Sequence, residues 1–198
     1  MSTYLFIDGE NFLHKVEDAL REQGIPKRKI DTSHIDLASL VHLALPDYTL
    51  EKKYFYSAKL KLFKDTKEKS LELIRKQRIL KTNLEKQDFE FILAGNVRPQ
   101  KVSEHGKTRF IFKEKGVDVR IAVDLVRLSW DKTMDTAILC SSDSDLQPAI
   151  AETRRRGVKV IYLGFETMPN KGLTYTTNKT VLFRNHEILK MFHPKSAK

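Results

Sequence analysis

The segment that most restricts the fold runs from residue 135 to 165 and reads DTAILCSSDSDLQPAIAETRRRGVKVIYLGF. Two apolar runs of strand length, TAILCS and VKVIYLGF, flank a helix pattern that Gly157 stops. A strand, a helix and a second strand joined this closely form a parallel crossover unit. The first strand ends directly on two acids one residue apart, Asp143 and Asp145. One acid at that position is a helix cap; two repel each other and call for a cation.

The same alternation runs through the chain. TYLFID (3–8) reads as a buried strand, and FLHKVEDALREQG as a helix stopped by Gly24. HIDLASLVHLAL (34–45) reads as a helix with Thr32 or Ser33 as its cap and Pro46 as its stop, followed by a strand over 50–58. Residues 59–87 carry apolar positions at helical spacing (Leu71, Ile74, Ile79 and Leu80) among lysines and arginines. FEFIL (89–93) is a third strand, 95–108 a polar loop, 109–116 a hairpin arm and 117–130 a helix. The expectation is an α/β fold with a mostly parallel central sheet between helices, in a single domain over 1–198. Its core would cover about 3–165, with a C-terminal strand and helix at about 180–193.

Composition narrows the function. Lys and Arg number 36 against 26 Asp and Glu, a formal net charge of +10 that draws polyanions, nucleic acid above all. The single cysteine, Cys140, excludes an internal disulfide framework and a cysteine zinc site, in keeping with a reducing cytoplasm. No apolar run reaches the roughly 20 residues of a membrane span, and the first residues lead straight into a strand rather than a signal peptide. There is no GxGxxG or GxxxxGK[ST] signature of the common nucleotide-cofactor enzymes.

The acids fall where open α/β sheets bind ligands, beyond the carboxyl ends of the strands. Asp8 ends the first strand, Asp143 and Asp145 follow TAILCS, and Asp118 opens the helix after Gly116. Each has a local use: Asp8 and Asp145 as helix caps, Asp118 at the positive end of its own helix. Together they point to a divalent ion, and oxygen donors without histidine or cysteine suit Mg²⁺ or Mn²⁺. Such an ion polarises a phosphate oxygen and lowers the pKa of a bound water. Basic segments elsewhere would hold a polyanionic backbone; the run from Lys59 to Lys86 serves equally well as a solvated helix face.

YLFIDGENF, KEKGVDVRIAVDLV and AILCSSDSDLQPAIAETRRRGVKVIYLG, in that order, resemble the NYN domain in its LabA-like branch, within the PIN-like nuclease superfamily. The resemblance covers about residues 3–165 and implies a PIN-like (Rossmann-like) three-layer sandwich and a metal-dependent ribonuclease. By motif match it implies Asp8, Asp118, Asp143 and Asp145 as ligands of Mg²⁺ or Mn²⁺, Asp145 directly or through water. Asn11 would orient Asp8 or contact a phosphate, and Lys113, Lys115, Arg109 and Lys107 would hold the RNA substrate. Ser142 and Leu146 stand where the family usually has glycine and phenylalanine.

Asp124 also matches the family pattern but lies six residues beyond Asp118, about 600° around the helix, so it reads as a structural hydrogen-bonding group. Trp130 reads as core. Phe110 and Phe112 alternate in a basic arm, where core packing and stacking on RNA bases are both open. The alternative to a ribonuclease is a non-catalytic RNA-binding module on the same fold; a deoxyribonuclease is a weaker third. RNA is the expected partner, no membrane is, and a homodimer stays open.

Overall fold

A computed structural model describes residues 2–104 and 107–192, with side chains for all of these except 103, 104 and 107–109. Seven strands form one sheet: β1 (Thr3–Asp8), β2 (Lys52–Lys59), β3 (Glu90–Glu104), β4 (Lys107–Lys115), β5 (Thr136–Cys140), β6 (Lys159–Phe165) and β7 (Lys179–Phe183). Their spatial order is β4-β3-β2-β1-β5-β6-β7, and every neighbouring pair is parallel except β3 with β4. The helices are α1 (Gly9–Glu22), α2 (Leu37–Ala44), α3 (Lys67–Glu85), α4 (Val117–Trp130), α5 (Gln147–Arg155), α6 (Lys171–Thr176) and α7 (Asn185–Met191).

β1 lies at the centre and every one of its residues is buried. Because side chains alternate along a strand, Leu5 and Ile7 enter one apolar cluster while Tyr4 and Phe6 enter another. The first cluster gathers Phe12 and Leu20 of α1, Leu37 and Leu40 of α2 and Ile188 of α7. The second gathers Ile121 and Leu125 of α4, Ile150 of α5 and Leu173 of α6. Helices therefore cover both faces, which is why β1 reads as one unbroken apolar run.

From β1 the chain builds outward on one side through β2 and β3, then crosses to the other through β5, β6 and β7. The order reverses at the β1–β5 pair, so the crevice at the carboxyl ends of those two strands is the switch point of the sheet. Asp8 is the last residue of β1, and Ser141 to Asp143 directly follow β5.

Several expectations need correction. Residues 95–104 are not a loop: β3 continues through them and pairs residue by residue with β4, from Asn96 opposite Lys115 to Glu104 opposite Lys107. The two form a ribbon whose backbone is satisfied internally. A buried face is what usually betrays a strand in sequence, and polar side chains on this ribbon hide it. The cap of α2 is Asp36, which accepts from the Ser39 N–H at 3.0 Å; Thr32 and Ser33 belong to a preceding 3-10 turn. Leu71 is exposed, because α3 packs into the core through Leu80 and Leu84, toward its C-terminal end. Trp130 is not core: it is 58% exposed at the end of α4, with the Arg156 guanidinium stacked 3.3 Å from its ring centroid. No helix among the described residues is long and apolar enough to cross a membrane.

Candidate metal-binding site

Asp8 is brought to the crevice by β1 and held there by two donors. The backbone N–H of Asn11 reaches its Oδ1 at 3.3 Å, and the Ser141 hydroxyl reaches its Oδ2 at 3.1 Å. The first bond makes Asp8 the cap of α1. The turn between them needs Gly9, since a Cβ there would run into the Phe55 ring and the Tyr56 carbonyl. Asp8 is 7% exposed. Burial raises its pKa to about 6, against the Asn11 and Ser141 hydrogen bonds, and the charges of Asp143 and Glu10 push the same way.

The loop after β5 is fixed from both sides. Asn11 Oδ1 accepts from the Ser142 backbone N–H at 3.1 Å and from its hydroxyl at 2.9 Å. Asn170, the cap of α6, donates from Nδ2 to the Ser142 carbonyl at 2.8 Å. Ser141 Oγ accepts from the Asp143 N–H at 3.1 Å, and Asp143 Oδ1 accepts from the Asp145 N–H at 2.9 Å. Asp143, not Asp145, therefore caps the short turn that leads into α5. Serine at 142, where glycine is usual, adds the hydroxyl that Asn11 holds.

Asp118 arrives from the opposite direction, in the first turn of α4. The chain leaves β4 and enters this helix through Gly116, whose φ of 90° is a left-handed conformation that glycine adopts without strain. Asp8, Asp118 and Asp143 line one pocket of about 380 Å³, together with Glu114, Lys115, Gly116 and Val119. Asp145 is exposed and is not part of that lining.

Glu114, on β4, is a member of the pocket that motif reading passes over. Burial raises its pKa well above the ordinary carboxylate range, and its hydrogen bond to Glu10 and the charges of Glu10, Asp8 and Asp118 add to this. Its position four residues before Asp118 is visible in KEKGVD, but its part in the crevice depends on the antiparallel register of β4, which the sequence does not display.

The remaining assignments separate. Lys113 and Lys115 are exposed on β4, and Lys115 borders the pocket. The side chains of Lys107 and Arg109 lie outside the described residues. Asp124 is buried on another face of α4, where it accepts from Tyr56 Oη at 3.0 Å and Arg120 Nε at 2.9 Å. That is the structural role its spacing suggests; burial, with the charge and hydrogen bond of Asp124 adding to it, holds the Tyr56 phenol in its neutral form.

The acidic donors of the pocket are all carboxylates, which suits a hard divalent cation. Two of them, Asp8 and Glu114, are driven toward protonation chiefly by burial, with the charges of neighbouring acids adding to it. Among the described residues, no three His, Cys, Asp or Glu side chains are already drawn into a group that could hold an ion.

The NYN domain family model matches residues 2–182. The chain belongs to the NYN domain family. NYN domains are part of the PIN-like nuclease superfamily, so a nuclease-type hydrolase is the activity that membership suggests. A 50-residue segment is 42% identical to an uncharacterized protein of Methanocaldococcus jannaschii, MJ0482; it makes up 25% of this chain and 21% of that protein. The fold resembles the crystal structure of VPA0982, a protein of unknown function from Vibrio parahaemolyticus. The TM-score is 0.56 at 19% identity, over 91% of each chain. That likeness concerns the fold, and this NYN chain shares with it an α/β architecture built on a mostly parallel sheet.

Proposed function

We infer that this NYN protein is a metal-dependent ribonuclease that hydrolyses RNA phosphodiester bonds. The observation that carries the reading is that Asp8, Asp118 and Asp143, from three separate parts of the chain, line one pocket at the switch point of the sheet. A site that only held an RNA backbone would gain nothing from three acids beside it, since they repel phosphate. These three carboxylates would hold Mg²⁺ or Mn²⁺, with exposed Asp145 at the rim. The ion would supply a bound water of lowered pKa and offset charge on the phosphate oxygens.

The rest of the work falls to the chain. Ser141 and the Asn11 N–H fix the Asp8 carboxylate, so little reorganisation is left for the moment of reaction. Asn11 and Asn170 hold the Ser142 backbone and thereby the reach of Asp143. Lys115 at the pocket edge, with Lys113 beyond it, would bind backbone phosphates, as would Arg109 and Lys107. Glu114 lines the same pocket, where a protonated carboxyl would serve as proton donor to the leaving oxygen.

The test is cleavage of labelled single-stranded RNA with Mg²⁺ or Mn²⁺ by the wild type and by Asp143→Asn. Cutting that needs the ion and is lost in the variant supports the reading. The second reading, an RNA-binding module that does not cut, is favoured by the absence of an assembled ligand group among the described residues. It wins if both proteins bind RNA and neither cuts it with either ion.

A further inference from the structure

The carboxylate crevice does not end at Glu114. Glu10, His14 and Glu114 border both the space beside Asp8 and a second cleft of about 300 Å³. This cleft lies between α1, α3 and the β3–β4 ribbon. Leu13, Ala58, Leu73, Leu80, Val97 and Phe112 give it apolar walls. Phe112 is fixed there, with the Phe63 ring against it at 6.5 Å and Lys69 Nζ 5.2 Å from its centroid. Gln77 is fixed as well, its Nε2 donating at 2.8 Å to both Ser57 Oγ and the Ala58 carbonyl.

The charged groups of the cleft decide what enters. Four are acids: Glu10; Glu17, which is paired with Lys27 at 2.8 Å; Asp31, whose Oδ1 accepts from the Ser33 N–H and hydroxyl; and Glu114, which burial drives toward its neutral form. Its one lysine, Lys76, is paired with Glu72 at 2.6 Å. With its lysine paired, this lining offers a phosphate little, whereas a flat uncharged ring with N–H donors suits apolar walls with the exposed Glu10 carboxylate at their edge. The volume is at the small end of ligand sites, about 300–1,000 Å³, and matches a single nucleoside rather than a helix or a folded partner.

We propose that this cleft receives one unpaired nucleobase of the RNA whose phosphate lies at Asp8, and that it prefers a base with an exocyclic amine over uracil. The proposal rests on the nuclease reading and specifies its substrate. A paired base cannot leave its helix for a side cleft without unstacking, so the substrate is single-stranded at this position. A carboxylate accepts from the exocyclic amine of adenine or cytosine, whereas uracil has carbonyl oxygens at its edge and offers a carboxylate only its ring N3–H.

The experiment measures binding, with Ca²⁺ in place of Mg²⁺ or Mn²⁺ so that the carboxylates are neutralised by an ion of weaker Lewis acidity, of three chains of equal length: short oligoadenylate, oligouridylate, and a sugar–phosphate chain without bases. The wild type should bind oligoadenylate about 5- to 150-fold more tightly than the base-free chain, the range for one base against an aromatic wall. Oligouridylate should fall between them. Leu73→Trp, which plugs the cleft, and Phe112→Leu, which removes its aromatic wall, should each shrink the preference, with thermal melting used to show that both variants fold. Equal affinity of the wild type for all three chains overturns the proposal and leaves the cleft to some other occupant. A preference that survives in both folded variants overturns it as well, as does failure of every chain to bind. RNA cleavage together with equal affinities would leave the nuclease standing without its base cleft. A base preference without cleavage would keep the cleft and remove the nuclease.

Discussion

The Asn11 carboxamide oxygen receives both the backbone N–H and the hydroxyl of Ser142, at 3.1 and 2.9 Å. One side chain on α1 thus fixes the loop that carries Asp143. Replacing Asn11 by alanine leaves a half-buried loop N–H without its acceptor and should cost about 1–3 kcal/mol in urea unfolding. Ser142→Gly removes one of the two bonds and should cost about 1 kcal/mol. A larger loss in Ser142→Gly than in Asn11→Ala would contradict the clamp.

Asp8 sets a pH dependence. Its folded pKa of about 6 lies above its ordinary 3.8, so the folded protein binds the proton more tightly than the unfolded chain does. The stability contributed by that proton is complete below the ordinary value and is lost as pH rises through about 6. In chelator, the wild type should lose up to about 3 kcal/mol relative to Asp8→Asn between about pH 4 and pH 7. Melting curves of the two across that window check it, and parallel curves would contradict it.

Asp118 and Asp124 share a helix and should behave in opposite ways. Asp124→Ala strips the acceptor from the buried Tyr56 hydroxyl and from Arg120, and should cost about 2–3 kcal/mol while sparing metal binding. Asp118→Ala removes a half-buried pocket group with little packing, and should change stability by about 0.5 kcal/mol or less while abolishing metal-dependent activity. Denaturation and cleavage measured on both variants separate the two roles.

The β3–β4 ribbon places Arg98 directly opposite Lys113, a like-charge pair that is unfavourable unless an anion lies over it. Arg98→Glu with Lys113→Glu should weaken RNA binding. It should also reduce the slope of log affinity against log salt by about 0.7 for each phosphate that is no longer neutralised. An unchanged slope would mean that the ribbon does not touch the backbone.

The sheet and three of its acids were legible because apolar runs mark the strand ends. Asp8 and Asp143 follow such runs, and Asp118 follows the glycine that opens its helix. What stayed hidden depends on pairing between distant residues. Beyond Leu93 and Ala94, Val97 and Val102 are isolated among polar residues of β3, too sparse to mark a strand. Glu114 gains its place only through the register with Val97, and Asn170 only through the fold that brings α6 to Ser142. Trp130 misled because an aromatic residue on a helix usually packs inward, whereas here an arginine from the end of α5 covers it.

The central claim is that Asp8, Asp118 and Asp143 hold one divalent ion between them. Mn²⁺ titrated into isotope-labelled protein, followed by the paramagnetic broadening of backbone amide signals, tests it most directly. The account predicts that the amides of Gly9, Val117 and Asp143 broaden first and together, and that Asp118→Asn abolishes the effect at the same Mn²⁺ concentration. Broadening centred elsewhere, or unaltered in Asp118→Asn, would contradict it.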